Sequence, residues 1–431
     1  MLAWACLDSG AATAGEISQA VLRGGQRVIP HISEVAVRNY KSIAQISAAL
    51  EPLTVFVGPN GSGKSNFIDS LAFLQECLSA SIEVAFLNRG GIGAVRRRSA
   101  GHPTHIGIRI CLHLPGDLRA DYAFEIAAKP TGRFSVARER CVVRPFMKDD
   151  IFFFEVRNGV FVKEISGIRP KVSPDRLALY AASATEEFRP VYDFLTAMRF
   201  YSVVPTRLRE LQDPDPGLIL KRDGSNAAAV LKHLTEDKAQ GQRYARLCSL
   251  LSKAVEGLRG VEYRAVGQKK TLQFRQDVGA QHPWTFDPLN MSDGTLRVLG
   301  LLLAVYQPGQ HSVVAIEEPE ATVHPAVTEL LVQVFMDASN ERQILLTTHS
   351  PDILDQKELE DTQIRVVSLV QSRTQVSPLS DSSRKAIREK LYTPGELLRA
   401  GELGPDLQAA ATSAGQLDLF PQPLLLPDES Q

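Results

Sequence analysis

Residues Gly58 to Ser65, GPNGSGKS, constrain this chain more than any other stretch. They follow the apolar run LTVFV and open KSNFIDSLAFL, whose apolar positions recur at helical spacing. A strand, a glycine-rich turn and a helix in that order form a phosphate cradle. Glycines let the backbone come close, and successive N–H groups at the helix N-terminus face the anion. Gly58, Pro59, Asn60, Gly61, Ser62, Gly63, Lys64, Ser65 and the following Asn66 are the predicted phosphate-binding residues. In such a loop the lysine pairs with β- and γ-phosphates and the serine hydroxyl ligates Mg2+. The fold class that follows is α/β.

Three further segments gain meaning beside that loop. The apolar strand in VVAIEEPEATVHP ends on two acids, which suits a metal-linked carboxylate, Glu317, and a general base, Glu318, for an attacking water. Taken alone the pair reads as a solvated strand end. LLTTHS closes a later apolar strand with His349, a donor placed to position water or the γ-phosphate; a lone histidine there is otherwise structural. In MSDGT, Ser292 and Gly294 stand at the start of an apolar helix, a cap by itself but also a second anion site. Two anion sites on one chain predict one nucleotide held between two chains.

Period and turn signals divide the rest. Residues 1–30, rich in Ala and Gly, carry no period and are expected to be a disordered extension, or to precede a true start at Val28. The ordered ATPase-type domain is expected over 31–405. It contains an antiparallel β insert at about 105–165, a helical lobe at about 174–258, and the SDG-to-THS segment at about 290–355. Residues 406–431 read as a flexible tail.

The 48 basic and 49 acidic residues nearly cancel, so the whole-molecule charge draws the chain to neither nucleic acid nor anionic membrane. A local cluster, Arg89, Arg96, Arg97 and Arg98, fits DNA phosphates and fits equally a solvated or nucleotide-facing loop. No apolar run reaches membrane-spanning length and the first residues lack a secretory pattern, so no membrane partner and a cytoplasmic setting are expected. The five cysteines form no CxxC pair, consistent with a reducing compartment and no structural zinc.

Phosphate loop, SDG, EEPE and THS occur in the order found in ABC ATPases, and GKSN, NYKSI, EEPExxxHP and TTHSP resemble the branch containing RecF-, SMC- and overcoming-lysogenization-defect-type ATPases. DGSNAAAVL at 223–231 resembles a stretch of uncharacterised bacterial members. The resemblance implies an ABC-type P-loop core with an antiparallel β subdomain and a helical lobe. It also implies ATP and Mg2+ as ligands, and a homodimer closed by ATP in which Ser292 and Gly294 of one copy cover the nucleotide of the other. Its departures are MSDGT for LSGGQ, Glu317 where aspartate is commoner, and no convincing glutamine to couple nucleotide to the helical lobe. Long heptad arms and a nuclease-like acidic cluster are lacking. DNA maintenance is the function the branch suggests; the alternative is a sensor subunit controlling a separately encoded effector. In the tail, Gln416, Leu417, Asp418, Leu419 and Phe420 spell QLDLF, similar to peptides that dock on the replication sliding clamp; the competing placement packs these apolar side chains on the ATPase body.

Overall fold

The computed structural model describes residues 22–23, 26–27, 29–99, 104–129, 132–145, 151–163, 175–415 and 417–421. A minimal ladder joins β1 (Leu22–Arg23) to β2 (Gln26–Arg27), and the rest of 1–28 lies outside the described residues. Strands β3 (His31–Tyr40) and β4 (Ile43–Ala49) form a hairpin that leads to β5 (Leu53–Val57). Five strands follow the first helices: β6 (His105–Leu114), β7 (Leu118–Ala128), β8 (Phe134–Pro145), β9 (Phe152–Arg157) and β10 (Val160–Lys163). They pair antiparallel with β3 and β4 in the order β10-β9-β8-β7-β6-β3-β4. The predicted β insert is thus extended by the hairpin that opens the domain.

The second sheet has the order β11-β15-β16-β5-β17-β18, with β11 (Arg199–Tyr201), β15 (Val313–Glu317), β16 (Gln343–Thr348), β17 (Ile364–Val370) and β18 (Arg373–Ser377). All its pairs are parallel except β17–β18. Its central strands are buried along nearly their whole length because both faces are covered, and alternate side chains enter two different cores. Phe56, Val313, Ala315 and Leu345 pack with the helix Lys64–Ser79 and the antiparallel sheet. Val55, Val57, Val314, Ile316, Ile344 and Leu346 pack with the helices Asp293–Tyr306 and Pro325–Ser339 and the helical lobe. Gln343 fastens the two sheets. Its buried amide accepts from Ile32 N–H at 2.9 Å and donates to the carbonyls of Ile32 and Glu51 at 2.9 and 3.0 Å.

The helical lobe is less continuous than its periodicity predicts. Three-residue β11 interrupts it, so Arg189–Thr196 packs into the first core while Ala227–Glu236 and Gly241–Ala254 pack into the second. The strand pair β12 (Leu258–Val266) and β13 (Lys269–Gln276), extended by β14 (Trp284–Phe286), adjoins that lobe. Among the described residues, no helix is long and apolar enough to cross a membrane.

The end of the chain departs from the flexible tail expected over 406–431. Residues Leu407–Gly415 form a helix whose Ala414 carbonyl accepts from Gln45 on β4. Leu419 and Phe420 are buried against Ala36 and Ala123, with Leu417 beside them. A Cβ on Gly107 would lie 2.2 Å from Leu419 Cδ1, so any larger residue there has to push this side chain aside. The Arg138 guanidinium sits 4.2 Å from the Phe420 ring centroid, a cation–π contact. Asp418 Oδ1 accepts the Phe420 N–H at 2.8 Å. Gln416 and residues 422–431 lie outside the described residues. The sheet thus offers a slot of small residues that hydrophobic burial fills, which composition alone does not reveal.

Candidate functional site

The phosphate loop leaves β5 at Val57 and enters the helix at Lys64, whose N-cap is Gly63. Gly61 and Gly63 adopt φ of +77° and +105°, values costly for residues with a Cβ. A Cβ on Gly58 would meet the Val367 carbonyl at 2.1 Å, and one on Gly63 would meet Thr374 Oγ1 at 2.1 Å. The loop therefore rests directly on β17 and β18. Thr374 donates to Ser62 O at 2.9 Å and lies 2.7 Å from Ser42 Oγ, which accepts from Asn66 at 2.7 Å. The helix start has no side-chain cap and no acid in its first turn. Its first N–H groups are thus free of internal competitors for an anion.

Lys64 is buried and turned onto the loop itself, donating to the carbonyls of Gly58 at 2.7 Å and Pro59 at 3.1 Å. Burial lowers its pKa, against the opposing fields of Glu318 and Glu320. Those carboxylates lie close because β5, β16 and β15 are parallel neighbours that end on one edge, with Thr348 opposite Val57 and Glu317 opposite Thr347. Crevices outside the carboxyl ends of such strands are where α/β sheets bind ligands. Glu318 has φ +45°, and its N–H donates to Thr347 O at 2.9 Å, turning the chain sharply after the strand. Its carboxylate is 3.5 Å from His349 Nδ1. Glu320 is nearly buried; it accepts from Thr348 Oγ1 at 2.5 Å and the His349 N–H at 3.4 Å.

Ser292 caps the helix Asp293–Tyr306, accepting the Thr295 N–H at 3.1 Å. A Cβ on Gly294 would lie 2.8 Å from Thr322 O, so this helix start abuts the turn after Glu318. Neither Ser292 nor Gly294 lines the cavity beside Ser65. The structure brings together Lys64, Ser65, Glu317, Glu318 and His349, while Ser292 and Gly294 lie at the start of a helix that abuts the turn after Glu318.

Residues missed by sequence reasoning hold this arrangement. Arg297, buried in the apolar helix Asp293–Tyr306, donates to the carbonyls of Glu317 at 3.1 Å and Glu318 at 2.7 Å, and to Val203 O. Burial lowers its pKa. A single arginine in TLRVLGLLLAVY was its available signal. Arg222 ion-pairs with Glu317 at 2.6 Å. An open polar cavity of about 370 Å³ extends beside Ser65 and Asn66, walled by Asp69, Arg89 and Arg222. Burial alone would raise the Asp69 carboxyl, but Arg89, Lys41 and Tyr40 outweigh it and its pKa is lowered.

The predicted basic cluster disperses. Arg89 is enclosed by Asp69 and Glu76, at 3.0 and 2.8 Å, and Arg97 donates to Ser42 O at 2.7 Å, behind the phosphate loop. Arg89 thus serves the interior, whereas Arg96 and Arg97 are half-buried and Arg98 is exposed.

Comparisons with known proteins agree with this construction. A family described as "AAA domain, putative AbiEii toxin, Type IV TA system" matches residues 189–355, and one described as "AAA ATPase domain" matches residues 31–110. The DNA replication and repair protein RecF of Beutenbergia cavernae is 30% identical over 97 residues, which cover 21% of this chain and 24% of that protein. The chain thus aligns with about a quarter of the length of that curated relative. Among solved structures, an SMC head bound to the C-terminal winged-helix domain of ScpA is similar at a TM-score of 0.51 and 14% identity, covering 82% of this chain and 99% of that one. In motifs, fold and relatives alike, the chain is similar to ABC-type ATPases of the RecF and SMC kind.

Proposed function

We propose that this protein binds ATP with Mg2+ and hydrolyses it between two copies of the chain, in a cycle that serves DNA maintenance. The observation that carries the reading is the convergence of Lys64, Ser65, Glu317, Glu318 and His349 on one edge of the parallel sheet. Local chemistry fits the ligands. Ser62 Oγ is buried with no hydrogen-bond partner among the described residues, and Glu317 already holds a cation, the Arg222 guanidinium. One carboxylate, one hydroxyl and phosphate oxygens are an ordinary Mg2+ donor set.

On binding, Lys64 exchanges the Gly58 and Pro59 carbonyls for β- and γ-phosphate oxygens, while the N–H groups of the helix start face the phosphates. Ser65 and Glu317 would hold Mg2+, which supplies charge neutralisation on the transferred phosphoryl group. Glu318 accepts the proton of the attacking water, and His349, 3.5 Å from it, orients that water and the γ-phosphate. The products are ADP and inorganic phosphate. Ser292 and Gly294 do not line the cavity beside Ser65, which leaves them for closure over a second copy's nucleotide.

The RecF relative supports the DNA assignment, and the AbiEii wording of the longer family match supports a second reading, an ATPase subunit that governs a separate effector. Steady-state ATP hydrolysis measured with single-stranded, nicked and duplex DNA separates them. Stimulation by one DNA form is the expected result; Mg2+-dependent hydrolysis indifferent to all three favours the effector reading.

A further inference from the structure

DGSN, the motif that the phosphate chemistry leaves unexplained, shapes a loop whose one product at the site is Arg222. Asn226 is buried and satisfies three loop groups. Its Oδ1 accepts Lys221 N–H at 2.7 Å, and its Nδ2 donates to Asp215 at 3.0 Å and Ile219 O at 2.9 Å. Gln307, which caps the end of the helix Asp293–Tyr306, accepts Leu220 N–H at 2.8 Å. Asp223 accepts Ser225 N–H at 3.0 Å, and Gly224 turns at φ +82°. Ser202 and Val204, just after β11, donate to the carbonyls of Arg222 and Asp223 at 2.9 and 3.0 Å. The loop is fixed on every side, and it runs straight into the lobe helix Ala227–Glu236.

Arg222 extends from this scaffold to Glu317 at 2.6 Å, with its second terminal nitrogen 3.9 Å from Asp69. A divalent cation at the same carboxylate brings a second positive charge beside this guanidinium, so the two compete for Glu317. Resting on the ATP·Mg2+ reading above, we propose that Arg222 is a positioning residue that competes with the active-site cation for Glu317. Metal loading weakens its ion pair and thereby loosens the hold of the 215–226 loop on the carboxyl end of β15.

The test is Mn2+ binding, followed by the loss of the free-ion EPR signal, to the full chain saturated with ADP. Mn2+ shares the oxygen-ligand preference of Mg2+. Arg222→Met keeps the aliphatic stem and removes the competing charge. Its half-saturating Mn2+ concentration is expected to fall about two- to fivefold, the range a partly exposed ion pair supports. Unchanged or weaker binding, as a merely structural role predicts, overturns the proposal. Hydrogen exchange on the wild type gives a second measurement that needs no variant. Added Mn2+ should loosen the Ser202 and Val204 amides at saturating ADP; undiminished protection overturns the coupling. If wild-type protein with ADP holds no Mn2+, the ATP-site reading falls as well. If it does and Arg222→Met binds no more tightly, only this proposal falls.

Discussion

Strands β5, β15 and β16 are buried on both faces, whereas β6, β7 and β8 bury one face and carry ion pairs on the other. On that outer face Arg38 meets Glu125 at 2.5 Å, Arg109 meets Asp121 at 2.5 Å and Arg138 meets Glu155 at 2.9 Å. The contrast has a topological cause. Parallel strands end together, so the loops after Val57, Ile316 and Thr348 deliver Lys64, Glu317, Glu318 and His349 to one edge. Antiparallel strands share no such edge, so that sheet contributes a surface, and the surface holds the C-terminal segment. Chemistry and scaffolding are thereby separable, and substitutions in one sheet should leave the other's property intact.

The largest separation is expected from Glu318→Gln. Shape and the backbone contacts from Arg297 are kept while the base is lost, so kcat should fall at least about 100-fold with thermal stability unchanged. A fall below tenfold in a quenched-flow or steady-state assay would move the base elsewhere, Glu320 being the nearest carboxylate to His349 after Glu318.

The antiparallel side should answer instead to pH. Glu139 on β8 is fully buried; burial raises its pKa to about 7, although it accepts the Ala178 and Leu179 N–H groups and the Tyr122 hydroxyl. The unfolded carboxyl releases its proton near 4.5, the folded one near 7, so across that window the native state binds more protons. Stability therefore falls as pH rises from about 4.5 to 7, by at most about 3 kcal/mol. Glu139→Gln should abolish this slope in a series of thermal midpoints. Persistence of the slope would place its origin at another group.

A smaller effect is expected at the tail. Leu419→Ala with Phe420→Ala, or Gly107→Val, whose Cβ meets Leu419, should release the segment and cost about 2 kcal/mol. ATP hydrolysis should be unaltered. Limited proteolysis reads the release, and a tail equally protected in Gly107→Val would contradict the slot. A clamp-docking role for Leu417, Leu419 and Phe420 requires lifting buried side chains from the sheet first. Purified sliding clamp should accordingly bind Gly107→Val better than wild type if the peptide docks there, and neither if it does not.

Sequence legibility follows the same division. GPNGSGKS, EEPE and THS were readable because each joins a largely apolar strand to residues of special backbone or charge. The antiparallel strands were readable from alternation and turns. Arg222, Arg297 and Thr374 were not, since each acts through a partner brought near only by the fold: Glu317 lies 95 residues after Arg222, and Ser62 lies 312 before Thr374. Strand β11 is too short to show a period, and the tail's slot is made of Ala36, Gly107 and Ala123, residues whose small size becomes informative only when they are seen together.

The central claim is a nucleotide site shared between two chains, and complementation tests it most directly. Lys64→Ala removes the phosphate-facing cation from one site half, and Ser292→Arg blocks the covering half; each protein alone should be inactive. In a randomly paired equal mixture half the dimers are mixed, and each mixed dimer keeps one intact composite site, so roughly a quarter of wild-type ATP hydrolysis should return. Hydrolysis no higher than that of the separate variants, with mixed dimers demonstrated by native mass spectrometry, would contradict the shared site.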